Sequence, residues 1–196
     1  MSEPAYTRLD VEERRRRLLE LGTELFARHA YDALSMAAIA REAGISKALL
    51  YHYFPSKQEY FVATLEQKAA ELASRIAPDP ALAPAEQLAT SLDAFLGWVE
   101  ENGDAYAKLV RGAGAVPEVR EVMEEVREAT AELILGGLPG PPTPVRRAAV
   151  RAWLWFMDGA ILDWLEHGGI DRAELHRLLV ATLEGAIAAS APGAAR

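Results

Sequence analysis

Apolar positions recur at helical spacing along nearly the whole chain, and no alternating strand pattern competes with them. Leu18, Leu21, Gly22, Leu25 and Phe26 follow the i, i+3, i+4, i+7, i+8 stripe of one buried face, which predicts a first helix from about Val11 to His29. Ser35 stands where a side-chain oxygen caps a short second helix whose apolar face is Ile39 and Ala40. Gly44 ends that helix, Ile45 fills the corner, and Ser46 is placed to cap a third helix anchored by Leu50. A fourth helix is expected from near Ser56, with Lys57 in its first turn, to about Ile76, where PDPALAP at residues 78–84 ends it. Further helices are expected at about 83–102, 104–112, 117–136, 144–167 and 171–189, with breaks at Asn102-Gly103, Gly136-Gly137 and Gly168-Gly169. The pattern therefore predicts an all-α protein.

Two short helices around a glycine turn have the layout of a DNA-reading module. With Leu50 as the buried anchor, Lys47, Ala48, Leu49 and Tyr51 are left outside. Lys47 can donate to guanine O6 and N7, whereas Ala48 and Leu49 offer only apolar contact, for instance to a thymine methyl, so reading by shape must contribute. The charge distribution agrees. Residues 1–60 hold nine Lys/Arg and nine Asp/Glu, so the whole net charge of −8 falls on the remaining 136 residues, with twelve Lys/Arg against twenty Asp/Glu. An acidic body repels phosphates and confines DNA contact to the head.

Leu25-Phe26, Ile39-Ala40, Ala43-Gly44-Ile45-Ser46-Lys47 and Leu50-Tyr51-His52-Tyr53-Phe54 with Ser56-Lys57 together resemble the N-terminal domain of the tetracycline-repressor (TetR) family of transcriptional regulators, over roughly residues 10–61. Leu34 and Leu49 depart from that pattern, standing where a threonine and a small or hydroxylated residue are common. The resemblance implies a three-helix helix-turn-helix DNA-binding domain at residues 1–57. A larger helical ligand-binding and dimerisation domain follows at 58–196, giving about nine helices in all. It places Ser35, Ser46, Lys47, Ala48, Leu49, Tyr51, His52, Tyr53 and Lys57 at the DNA, with Tyr51, Tyr53 and Lys57 clamping phosphates.

The second informative stretch is RAWLWFMDGAILDWLEHGG, residues 151–169. On a helical wheel Trp153, Met157, Ala160 and Trp164 share one face, while Trp155 and Leu162 lie opposite with Asp158 near them, so the helix is expected to be buried on both sides. By resemblance this helix and the last one form a four-helix homodimer interface, here with Trp153, Trp164, Leu175, Leu178, Leu179, Thr182 and Gly185. One short recognition helix contacts too few base pairs for specific binding near 10⁻⁸ M, roughly, which also calls for a dimer on a palindromic operator in double-stranded DNA. The resemblance further implies a small, largely apolar or aromatic effector in the body, lined by Phe95, Trp98, Tyr106, Leu109, Met123 and Phe156 with Asp158 or Arg111 as polar anchor. Its usual mode is repression.

Enzymatic readings find no support. The chain has no cysteine, and His29, His52, His167 and His176 show no metal-ligand spacing, so neither catalysis nor a metal or cofactor is expected. Glu121, Glu124, Glu125 and Glu128, interleaved with Arg120 and Arg127, read as a solvated ion-paired face. The run Arg14 to Arg17 has two readings: a solvated face paired with Glu12, Glu13 and Glu20, or one or two arginines that reach phosphates flanking the DNA site. No stretch of eighteen apolar residues is free of charge or helix breakers, and MSEPAYTRLD is not a signal peptide, so a cytoplasmic protein without a membrane partner is expected. The rival to a DNA-binding regulator is a helical dimer that binds only a small molecule or a protein, and Lys47, Tyr51 and Lys57 argue against it.

Overall fold

Side-chain caps and one positive-φ glycine set the helix ends in the N-terminal part of the computed structural model, which describes residues 6–112 and 117–191. Ser35 Oγ accepts from Ala38 N at 3.2 Å and Ser46 Oγ accepts from Leu49 N at 3.1 Å, each satisfying an otherwise unpaired amide in a first helical turn. Between them Gly44 sits at φ +66°, a left-handed conformation in which a Cβ would be strained, and Ile45 N returns to Ala40 O at 3.0 Å. The elements are α1 (Tyr6–Arg28), a 3-10 turn (Tyr31–Ala33), α2 (Met36–Glu42), α3 (Lys47–Tyr53), α4 (Lys57–Arg75), α5 (Pro84–Gly112), α6 (Pro117–Gly136), α7 (Pro144–His167) and α8 (Arg172–Ala189). Contacts divide the chain into two units, Met1–Glu71 and Leu72–Arg196.

In the first unit α2 and α3 have seven residues each, too short to persist alone. They are held by a core of Leu18, Leu19, Leu25, Leu34, Met36, Ile39, Ala40, Leu50, Phe54 and Tyr60. Full burial of side chains such as Ile39 and Leu50 contributes about 1.5–3 kcal/mol each. α4 is joined to α1 at close quarters. Tyr60 donates its hydroxyl to Leu18 O, Thr64 Oγ1 donates to Tyr60 O at 2.8 Å, and Phe26 packs edge-on to Phe61 with ring centroids 4.6 Å apart. Burial pushes the Tyr60 phenol well above its ordinary range, so it stays a neutral donor.

The second unit packs α5, α6, α7 and α8 around Leu92, Leu96, Val99, Ala131, Leu135, Val150, Trp153, Leu154, Ile161, Leu175, Leu179 and Leu183. Thr143 caps α7, whose first residue is Pro144, and Asp171 and Glu174 form a reciprocal capping box at the start of α8. Eight α-helices are present among the described residues against about nine expected, and the difference lies in α5, which holds the two helices expected at 83–102 and 104–112 joined across a kink at the expected break. At Asn102 the backbone leaves the helical region (φ −128°, ψ 25°), yet its side-chain amide donates to Trp98 O at 2.9 Å and α5 continues beyond the bend. A Cβ at Gly103 would come within 2.8 Å of Leu165 Cδ2, the end of a half-buried side chain that would have to shift.

Gly22 tests the α1–α4 junction. A Cβ at this position would lie 2.5 Å from Thr64 Oγ1 and 2.7 Å from the Tyr60 hydroxyl, both tied by their own hydrogen bonds. Gly22→Ala gains about 1 kcal/mol of helix propensity, but overpacking costs about 1–3 kcal/mol. A net loss is expected, read as a lower urea midpoint at unchanged m-value; a raised midpoint would show that the junction gives way freely.

Candidate functional site

The outward face of α3 follows from Leu50 pointing inward. Lys47, Ala48, Tyr51 and His52 are exposed, Tyr51 by 40 %, while Leu49 and Tyr53 are half-buried. The Lys47 ammonium lies 5.5 Å from the Tyr51 ring centroid, and the His52 and Tyr53 rings meet edge to face at 5.7 Å. Phe54 is buried against Tyr60, centroids 4.8 Å apart, and ends α3 as a core residue. One helix thus presents an ammonium, a phenol, an imidazole and a methyl group together, a mixture suited to base edges and phosphates.

Three residues expected at the DNA serve the fold first. Ser35 and Ser46 use their hydroxyls as caps. Lys57 donates to Tyr31 O at 3.0 Å and Leu34 O at 3.1 Å, with its ammonium 4.1 Å from the Tyr31 ring centroid. The lysine ties the 3-10 turn to the start of α4 and keeps one of its three N–H donors uncommitted to those carbonyls. Its partners lie 26 and 23 residues away, beyond the reach of periodicity. In the basic run, Arg16 pairs with Glu13 and Glu20, Arg17 pairs with Glu13 at 2.8 Å, and Arg15 lies over the Phe54 ring.

In the body the structure assembles a polar cluster from three helices. Asp158 of α7 is buried; its Oδ1 accepts from the Tyr106 hydroxyl of α5 at 2.6 Å, and its Oδ2 accepts from Arg127 Nε and Nη2 of α6 at 3.0 and 2.7 Å. Trp155 lies across the guanidinium, ring centroid 4.0 Å from Arg127 Cζ. Burial first, and then the neighbouring Asp158 carboxylate, push the Tyr106 phenol far up, so it remains a donor. Arg127 therefore does not belong to a solvated glutamate face. Glu128 of that face pairs with Arg151 at 2.6 Å, while Arg127 turns inward. A signal for this exists in the sequence: Met123, Arg127, Ala131 and Leu135 recur at i+4, and the other three are buried.

Of the other expected lining residues, Met123 is buried and Phe95, Trp98 and Leu109 are half-buried; Phe95 meets Tyr106 edge to face at 5.9 Å. Phe156 is 43 % exposed and points away from that interior. Trp153, Leu175 and Leu179, expected at an intersubunit face, lie in the chain's own core, with Trp153 Nε1 donating to Leu179 O at 3.0 Å and to Thr182 Oγ1 at 3.2 Å. Trp164 is half-buried and donates to Ile170 O at 3.1 Å. α7 is not covered on both sides within the chain, because Trp155 is 61 % exposed. Phe156 and Gly159 on α7 and Leu178, Ala181 and Gly185 on α8 are exposed.

Residues 18–64 match the family of bacterial regulatory proteins of the tetR type, and residues 84–184 match the tetracyclin repressor-like C-terminal domain. The transcriptional activator FasR of Mycolicibacterium smegmatis is 30 % identical over 65 % of this chain and 59 % of its own length. The transcriptional repressor SCO4008 of Streptomyces coelicolor is 31 % identical over 63 % of this chain and 56 % of its own length. The chain thus spans little more than half the length of these two relatives. A crystal structure of a tetR-family transcriptional regulator from Streptomyces coelicolor superposes with a TM-score of 0.76 at 32 % identity, covering 91 % of this chain and 82 % of that one. No helix among the described residues is long and apolar enough to cross a membrane. With both its head and its body matched, the chain belongs to the TetR family of bacterial regulatory proteins.

Proposed function

We propose that this protein is a cytoplasmic, sequence-specific DNA-binding regulator that binds a palindromic operator as a homodimer, represses transcription there, and is released by a small effector held in its body. The observation that carries the DNA reading is the outward face of α3, where Lys47, Ala48, Tyr51 and His52 stand exposed above a fully buried Leu50. Lys47 donates to a guanine edge and Ala48 packs on a thymine methyl. Tyr51, His52, Tyr53 and the remaining N–H of Lys57 hold phosphates, with Ser35 and Ser46 as caps and Leu49 at the rim. Repression is supported by the name of SCO4008 and opposed by that of FasR. The effector reading is supported by Phe95, which stacks on Trp98 and meets Tyr106 edge to face beside the buried Asp158 carboxylate; Leu109 and Met123 are the further lining residues proposed.

The dimer reading is supported by the exposed Phe156, Gly159, Leu178, Ala181 and Gly185 of α7 and α8, apolar or small enough for helices of a second copy to approach closely. The acidic body, with twelve Lys/Arg against twenty Asp/Glu beyond residue 60, favours DNA contact through the head.

Selection of bound duplexes from a randomised library should recover a palindrome, and Lys47→Ala should relax it at one position per half-site, with a loss of about 1–3 kcal/mol per bidentate contact. Enrichment of no sequence by a folded dimer would overturn the DNA reading. Leu178→Glu, at a side chain 44 % exposed in the single chain, should leave helical content unchanged and give a monomer in sedimentation velocity. A variant that still sediments as a dimer would move the interface elsewhere.

A further inference from the structure

The cluster around Asp158 has the composition of a receptor for an organic cation, with its seat already filled. A carboxylate on one side and an indole face on the other are the two groups that hold a flat or quaternary cation. Here the cation is Arg127, bonded to Asp158 Oδ2 by two N–H donors at 3.0 and 2.7 Å and stacked on Trp155 at 4.0 Å. We infer that the effector site of the body takes organic cations, and that Arg127 is an internal occupant which such a ligand displaces from between Asp158 and Trp155. This rests on the reading above that the body holds an effector, and names its chemical class.

Three observations, with the energetics of buried ion pairs, favour a displaceable occupant, and the charge of the body favours a cationic ligand. The carboxylate does not depend on Arg127 for its orientation, because the Tyr106 hydroxyl holds Oδ1 at 2.6 Å from a different helix. A buried ion pair adds little net stability once desolvation is counted, so exchanging one cation for another is nearly balanced. A displaced Arg127 has a partner waiting at Glu124, exposed and one turn earlier on α6. Trp155 is largely exposed, so its ring is reachable from solvent. An anionic ligand would instead meet the fixed Asp158 charge inside a body whose charge is already strongly negative.

The exchange has a mechanical consequence. Arg127 joins α6 to α7, whereas Tyr106 joins α5 to α7. A cation that takes the place of Arg127 leaves the second tie intact and breaks the first, loosening α6 selectively. The ligand's preference for the loosened form is what shifts the population.

The test is calorimetric titration of the full chain with benzyltrimethylammonium, and with phenylacetate as the charge-reversed control. The cation should bind and phenylacetate should not. Trp155→Ala, at an exposed position that leaves the fold intact, should weaken the cation roughly tenfold, and Trp155→Phe should restore most of the loss. Arg127→Leu should bind the cation roughly tenfold more tightly, because the internal competitor is gone. If that variant does not fold, the Trp155 pair decides alone. Absence of cation binding to the wild-type protein, an affinity unchanged by Trp155→Ala, or phenylacetate binding that is lost in Arg127→Leu would each overturn the inference. None of these outcomes bears on the operator, which the duplex selection tests separately.

Discussion

The packing of Leu50 and Phe54 onto the α1–α4 junction is the constraint on which the head depends. A helix of seven residues has too few internal hydrogen bonds to hold its own shape, so α3 exists because its inner side is anchored. The anchor is itself fixed by Tyr60, whose hydroxyl reaches Leu18 O, and by the missing side chain at Gly22, which lets α4 come close to α1. Lys57 adds a second fastening by holding the Tyr31 and Leu34 carbonyls. What α3 turns outward is therefore set by what α1 and α4 require inward.

The body is organised differently. Among the described residues its core is largely apolar, and the contact of Tyr106, Asp158 and Arg127 joins three of its four helices at one carboxylate. Burying such a group contributes little net stability against an apolar alternative, but it penalises every arrangement in which one partner is missing. A polar tie of this kind defines one packing of α5, α6 and α7, and it is where a competing charged group has the most leverage. The surface pairs Glu128–Arg151 and Glu132–Arg147 run between the same two helices as Arg127–Asp158, but in solvent, where exchange with water costs little.

Local signals in the sequence carried much of this structure. Ser35, Gly44 and Ser46 placed the helix-turn-helix through chemistry confined to a few residues, and the cap and turn geometry is the one those side chains demand. The starts of α7 and α8 fall close to where the breaks at Gly136-Gly137 and Gly168-Gly169 put them, and Thr143 and Asp171 cap them there. Asn102-Gly103 is marked in the same way, and the chain kinks there, at an asparagine whose amide bonds back to Trp98 O. Side-chain partnerships across helices were not legible. The inward turn of Arg127, the carbonyl contacts of Lys57 and the use of Trp153 in the chain's own core all depend on residues 23 to 31 positions away. The i+4 stripe through Met123, Ala131 and Leu135 did contain a warning about Arg127, but a run of glutamates on the same helix gave it an alternative partner.

The central claim is that DNA is read by the outer face of α3 while the acidic body stays off the phosphates. Hydrogen exchange of the full chain with and without a bound duplex tests it most directly. Added protection confined to peptides spanning residues 35–57 is the predicted result. Protection spread over α6 to α8, with none between Ser46 and Tyr53, would contradict it.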